Sequence, residues 1–192
     1  MSSVGSFLDL TEPAYVLLGG LLPQDDPNEV ELLVSPTSIV TFDAQAGPVL
    51  EYFSVPRTRS EALADIREWH GTPEDLDSLV ADGTLVALPS GDQSQLISVL
   101  EGLTVRVTAP ARMSPTGRSV LLLVADERAI DIDVHTASVL ASPQVRSLGL
   151  GVEAVSQESG MALDRVWRLV LHDLSAILQT RAGHLALAEA PA

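Results

Sequence analysis

A chain that repeats itself must fold as two like units or as one body built from two like halves, and this 192-residue chain repeats itself. A displacement of ninety positions lays Leu32-Leu33-Val34 on Leu122-Leu123-Val124, Asp43 on Asp133, and Val49-Leu50 on Val139-Leu140. No gap is needed between Tyr15 and Leu50, and six of the twenty positions from Glu31 onward are identical. Further on, Gly83–Leu88 matches Gly183–Leu187 at a displacement near one hundred. The second copy therefore carries about ten extra residues in its helical part.

The first copy sets the expected element order. Val30, Leu32 and Val34 alternate with Glu31 and Leu33, as a strand requires. Ser35-Pro36 is a turn signal, and Thr37–Phe42 is β-branched enough for a second strand. Asp43 can cap a helix with Ala46, Val49, Leu50 and Phe53 on one face and Pro48 in its first turn. Thr58 and Glu61 have capping-box spacing before a second helix carrying Leu63, Ile66 and Trp69 or His70, ended by Gly71. Thr72-Pro73 opens a third helix lined by Leu76, Leu79 and Val80. Asp82-Gly83 then turns into a strand over Thr84–Leu88. Three helices followed by a strand is the order of a winged-helix domain. The expected class is α+β: two tandem winged-helix-like modules, each a three-stranded antiparallel sheet followed by three helices and a short closing strand.

These elements predict a loose N-terminus over 1–13, a first module over 14–88, a linker over 89–103, a second module over 104–187 and a tail over 188–192. Phe7, Leu8 and Leu10 offer the N-terminus an apolar anchor. Ala14–Leu22 is a first strand that Gly19-Gly20 lets bend. Gln93–Glu101 reads as a short linking helix, and Thr104–Thr108, Ser119–Val124 and Arg128–Asp133 as strands. Val134–Ala141 is a short helix stopped at Ser142-Pro143, while Gly149 and Gly151 weaken any helix over 145–159. Met161–Arg181 is a long helix whose apolar stripes, Val166, Val170 and Ile177 beside Trp167, Leu171, Leu174 and Leu178, exceed one face. Two readings stay open for it: burial between the modules, or a partner or homodimer interface through Trp167, Leu171 and Leu174.

Charge separates the halves. The chain has a net charge of −15 and no lysine. Residues 1–92 hold 16 acids and 3 arginines; residues 93–192 hold 10 acids and 8 arginines. The first half repels phosphate backbones and attracts a basic or extended partner, although acidity also serves plain solubility. Cysteine is absent, which excludes disulfides, zinc–thiolate sites and thiol nucleophiles. The N-terminal residues lack the pattern of a signal peptide and no apolar run reaches membrane-spanning length, so a cytoplasmic protein is expected.

No catalytic pattern appears. His70, His135, His172 and His184 do not pair at metal-binding spacing, so no metal is expected. Nucleophile-elbow, phosphate-loop and dinucleotide fingerprints are missing, and no cofactor is expected. Asp131 and Asp133 share a strand face, where a carboxylate pair could serve acid–base work. Helix capping by Asp133, with Asp131 in solvent, is the simpler reading. Asp25, Asp26 and Glu29 form an acidic loop without calcium-loop spacing. The third helix of the first copy carries Glu74, Asp75 and Asp77 and no basic residue, which disfavours nucleic acid. The expectation is a protein that is not an enzyme.

The strand Thr37–Phe42, Asp43 at the helix start, Thr58-x-x-Glu61, the Leu76–Leu85 stretch with its Asp82-Gly83 turn, and Leu121–Leu140 together resemble the small peptide-recognition domains of ribosomal-peptide modification pathways. PqqD-like proteins are their simplest members. Tandem copies are also similar to the region preceding the flavin domain of azoline-oxidising dehydrogenases. That domain is missing from this chain, and with it any implied oxidation. The resemblance implies that an extended leader-type peptide adds to the third strand beside the third helix, in a groove lined here by Ile39, Thr41, Leu76 and Leu79. The expected function is a non-catalytic scaffold binding such a peptide or a partner enzyme. The alternatives are a winged-helix transcription regulator using Arg165 and Arg168, and an adaptor that dimerises through the Trp167 helix.

Overall fold

The chain runs β1 (Ala14–Leu17), β2 (Gly20–Leu21), β3 (Glu29–Ser35), β4 (Ser38–Asp43), α1 (Gly47–Tyr52), β5 (Arg57–Thr58), α2 (Arg59–Glu68), α3 (Pro73–Ala81) and β6 (Leu85–Leu88). It continues as α4 (Gln93–Leu100), β7 (Leu103–Val107), β8 (Ala111–Met113), β9 (Ser119–Leu123), β10 (Ala129–Asp133), α5 (Val134–Ala141), α6 (Leu148–Ser159), α7 (Leu163–Gln179) and β11 (Gly183–Leu187). The structure is a computed structural model that describes residues 11–23, 26–35, 38–68, 71–124, 129–141 and 147–188. Pro36, Thr37, Asp25, Trp69, His70 and Ser142-Pro143, singled out above, lie outside these residues, as do the ends 1–10 and 189–192. The class is α+β, with small antiparallel sheets ordered β5-β1-β6, β2-β3-β4, β10-β9-β8 and β11-β7.

Strand register carries the repeat. Displacing both partners by ninety turns Glu29↔Asp43 into Ser119↔Asp133, Leu33↔Ile39 into Leu123↔Ala129, and Leu21↔Leu32 into Ala111↔Leu122; all three pairs are present. The outer ladder also repeats. Ala14↔Leu88 becomes Thr104↔Ala186 when the first partner moves by ninety and the second by ninety-eight. The extra eight residues lie in the third helix, because α7 has 17 residues where α3 has 9. Each of these helices ends in a left-handed residue, Gly83 at φ 79° and Arg181 at φ 56°, again ninety-eight apart.

Local chemistry starts the helices where the sequence predicts. Asp43 accepts from the Gln45 amide (2.9 Å), opening a 3₁₀ turn over Ala44–Ala46 that leads into α1. Thr58 and Glu61 bond reciprocally (2.9 and 3.3 Å) before α2, and the Asp75 carboxylate accepts from the Thr72 amide (2.7 Å) before α3.

Two expectations need correction. Ala14–Leu22 is two strands and not one. Gly19, at φ 125°, turns the chain: β1 pairs with β6, and β2 joins β3. A Cβ at Gly19 would lie 2.7 Å from the Leu33 carbonyl oxygen, so no other residue fits that approach. The helix weakened on paper by Gly149 and Gly151 does form, as α6. The Gly149 amide bonds the Glu101 carbonyl (3.2 Å), and a Cβ there would press on Glu101. Tertiary contact overrides the poor helix propensity.

β1 is buried along its whole length because it serves two cores. Tyr15 and Leu17 pack with Leu32, Leu50, Phe53, Ile66 and Leu76 of the first half. Ala14, Val16 and Leu18 pack with Leu96, Leu100, Trp167, Leu171 and Leu174 on the other side. The linking helix α4 belongs to this second core, with Leu96 and Leu100 buried. Beyond β1, the Gly19 amide donates to the Leu185 carbonyl of β11 (2.7 Å), so the backbone also crosses between halves.

Shared walls couple the cores. Leu17→Ala, which opens a cavity in the first core, is expected to cost about 2–5 kcal/mol. Urea unfolding followed by Trp167 fluorescence, in a Trp69→Phe background, should show that full loss although Trp167 sits in the other core. An unchanged Trp167 midpoint would mean that the halves unfold separately.

Candidate functional site

β4 lies at one end of its sheet and, among the described residues, pairs only with β3. Its burial pattern is nearly all exposed, with Ile39 at 52% and Val40 at 39%. An edge strand of six residues with unpaired backbone groups on its outer side is a template for another chain.

Beside that edge lie two cavities that share Phe42. One, of about 330 Å³, is lined by Phe42, Ala46, Val49, Leu50, Ser78 and Leu79, with Asp75 at its rim. The other, of about 380 Å³, includes Val40 and Phe42 of β4, Asp82 and Thr84 after α3, and Leu187 of β11. Asp75 and Asp82 each spend one oxygen locally, on Thr72 and on the Thr84 amide (2.9 Å), and both residues are solvent-exposed. The groove therefore has apolar walls and carboxylate rims.

The second half closes the same place. Displaced by ninety in the sheet and first helix, and by ninety-eight in the third helix, Phe42, Ala46, Val49, Asp75 and Leu79 become Ile132, Thr136, Val139, Asp173 and Ile177. These five are buried at 2, 0, 2, 5 and 0% exposure. α7 packs on α5 and β10, and the Asp173 carboxylate accepts from the Asp133 amide (2.9 Å), tying the helix to the sheet. Burial pushes the Asp173 carboxyl above its ordinary value of 3.8, against the opposing pull of the Thr136 hydroxyl and the Asp133 amide.

The residues predicted from sequence separate under this geometry. Leu79 lines the cavity between Phe42 and α3. Leu76 is a correction: at 0% exposure it belongs to the first core and cannot meet a ligand. Ile39 and Thr41 are exposed but share the strand face of Leu33 and Glu31, opposite Val40 and Phe42. The groove side of β4 is thus Val40 and Phe42, which sequence reasoning missed. The interface proposed through Trp167, Leu171 and Leu174 is also corrected. They are 4, 0 and 1% exposed within a single chain, because both apolar stripes of α7 are consumed by the second core.

Elsewhere, Asp131 is exposed and Asp133 caps α5 through the His135 amide (2.8 Å). Arg165 and Arg168 are exposed on α7, with Arg168 paired to Asp164 (3.2 Å). Among the described residues, no group of three or more His, Asp or Glu could hold a metal, and no helix is long and apolar enough to cross a membrane. A third cavity, of about 370 Å³, lies at the seam of the halves and is lined by Gly19, Gly20, Leu33, Arg181 and His184 among others. There Arg181 pairs with Glu51 (3.2 Å) across the seam, while the buried His184 Nε2 has no hydrogen-bond partner among the described residues. Burial, with a smaller push from Arg106, lowers the His184 pKa below its ordinary 6.5. No protein-family model, curated protein or solved structure matches the chain.

Two titrations follow. Asp173→Ala leaves the half-buried Asp133 amide without that acceptor and should cost about 1 kcal/mol. Asp173→Asn keeps an acceptor and removes a carboxyl whose folded form holds its proton above pH 3.8. Wild-type stability falls as pH rises through that range, so the Asn variant should equal or exceed wild type at pH 7 in thermal melts. His184 works in the opposite direction. Unfolded chains take its proton near 6.5 and folded chains only at lower pH, so stability drops as pH falls below 6.5. Denaturation at pH 7.5 and 5.5 should show a smaller loss for His184→Gln than for wild type.

Proposed function

We infer that the chain is a non-catalytic binding protein that grips an extended, basic-and-apolar peptide segment in the groove between β4 and α3. The two halves are read as tandem winged-helix-like modules. The resemblance to peptide-recognition domains of ribosomal-peptide modification pathways suggests a leader-type peptide as the occupant.

The observation that carries this reading is a β4 edge that is unpaired among the described residues and runs beside an open groove whose far wall is α3. Strand addition would take its affinity from the β4 backbone and its selectivity from the cavities around Phe42 and Leu79. Charge supports a basic occupant, since the rims are Asp75 and Asp82 and the first half holds 16 acids against 3 arginines.

Selection of short random peptides on the immobilised protein tests the reading. Enriched sequences should alternate apolar residues and carry arginine or lysine. Leu79→Asp should weaken them at least about tenfold, and methylating the peptide's backbone nitrogens should do the same. Failure to enrich any sequence, or binding indifferent to Leu79→Asp, would defeat the proposal.

A further inference from the structure

We propose that the duplicated fold holds one working groove per chain, and that the second half serves it as a wall through Leu187 in place of binding a peptide of its own. This rests on the peptide-binding reading above and adds its stoichiometry and a selectivity residue supplied by the other half.

The closed copy carries the first part. Five counterparts of the cavity's seven lining residues, Ile132, Thr136, Val139, Asp173 and Ile177, are inside, Leu140 and Ala176 opposite Leu50 and Ser78 are half-buried, and the amide at the end of β10 is held by Asp173. α7 is eight residues longer than α3, and it packs on α5 and β10. A peptide would have to break this packing to enter, whereas around Phe42 the space already exists.

Leu187 carries the second part. It ends β11, yet it is 45% exposed and faces the cavity bounded by Val40, Phe42 and Asp82 of the first half. Its neighbour Ala186 is fully buried, so the strand that presents Leu187 is anchored. An apolar ligand side chain seated beyond Phe42 would touch residues from both halves. A basic side chain next to it would meet the exposed Asp82 carboxylate.

The probe is a blocked hexapeptide of alternating leucine and arginine, with its leucine–glutamate analogue as control, titrated into isotopically labelled full-length protein by NMR. The proposal expects saturation at one peptide per chain, with shifts at β4, α3 and Leu187 and none at β10 or Ile177. Leu187→Asn, at a half-exposed site that the fold tolerates, should weaken binding roughly tenfold. Saturation at two peptides, or shifts at Ile132 and Ile177, would overturn the single groove while leaving peptide binding intact. Affinity unaffected by Leu187→Asn would overturn the shared wall. Equal binding of the glutamate analogue would overturn the basic ligand class. No shift with either peptide at millimolar concentration would overturn peptide binding itself, and this inference with it.

Discussion

One short ribbon, β1 paired with β6, holds the molecule together by presenting apolar side chains on both of its faces. Tyr15, Leu17 and Leu85 go one way; Ala14, Val16 and Leu88 go the other. A strand buried on both faces cannot show a polar–apolar alternation, and Ala-Tyr-Val-Leu shows none. Because each core lacks a wall without this ribbon, the halves stabilise each other, and their relative placement is fixed by burial.

That placement has consequences at the candidate site. β11 meets the β2 end of the three-stranded sheet, where its Leu185 carbonyl accepts from the Gly19 amide, while its Leu187 lines the cavity that includes Val40 and Phe42. Register equality across three ladders shows how closely the two halves share a backbone plan. They diverge in the third helix and in the outer sheet, where β5 has no counterpart strand among the described residues. Where the first half keeps an open groove, the longer α7 packs Ile177 and the Asp173 side chain into core against α5 and β10. The Asp173 bond to the Asp133 amide costs desolvation of a carboxyl, and the apolar packing around it offsets that cost.

Local signals were legible in the sequence and non-local ones were not. Asp43, Thr58 with Glu61, and Thr72 with Asp75 announce helix starts because a cap is made by residues three or fewer apart. The repeat was legible because Leu-Leu-Val and the paired aspartates survive in both copies. The side of β4 that faces the groove was not, since Ile39, Val40, Thr41 and Phe42 are apolar or β-branched on both faces. Only pairing with the fully buried Leu32 assigns Val40 and Phe42 to the groove side. Leu76 and Leu79 share a helical face in any pattern, and their separation into core and rim depends on how far α3 stands from β4. The contribution of Leu187 had no local signal, because it depends on how one half sits against the other.

The claim at the centre of this account is that matching positions in the two halves differ in access: open at Leu79, sealed at Ile177. A chain without cysteine allows that difference to be read directly. Leu79→Cys and Ile177→Cys, each the only thiol in its protein, would be reacted with a small alkylating reagent under native conditions. Rapid modification of the first and protection of the second until the protein unfolds is the predicted result. Comparable native rates at both positions would contradict it.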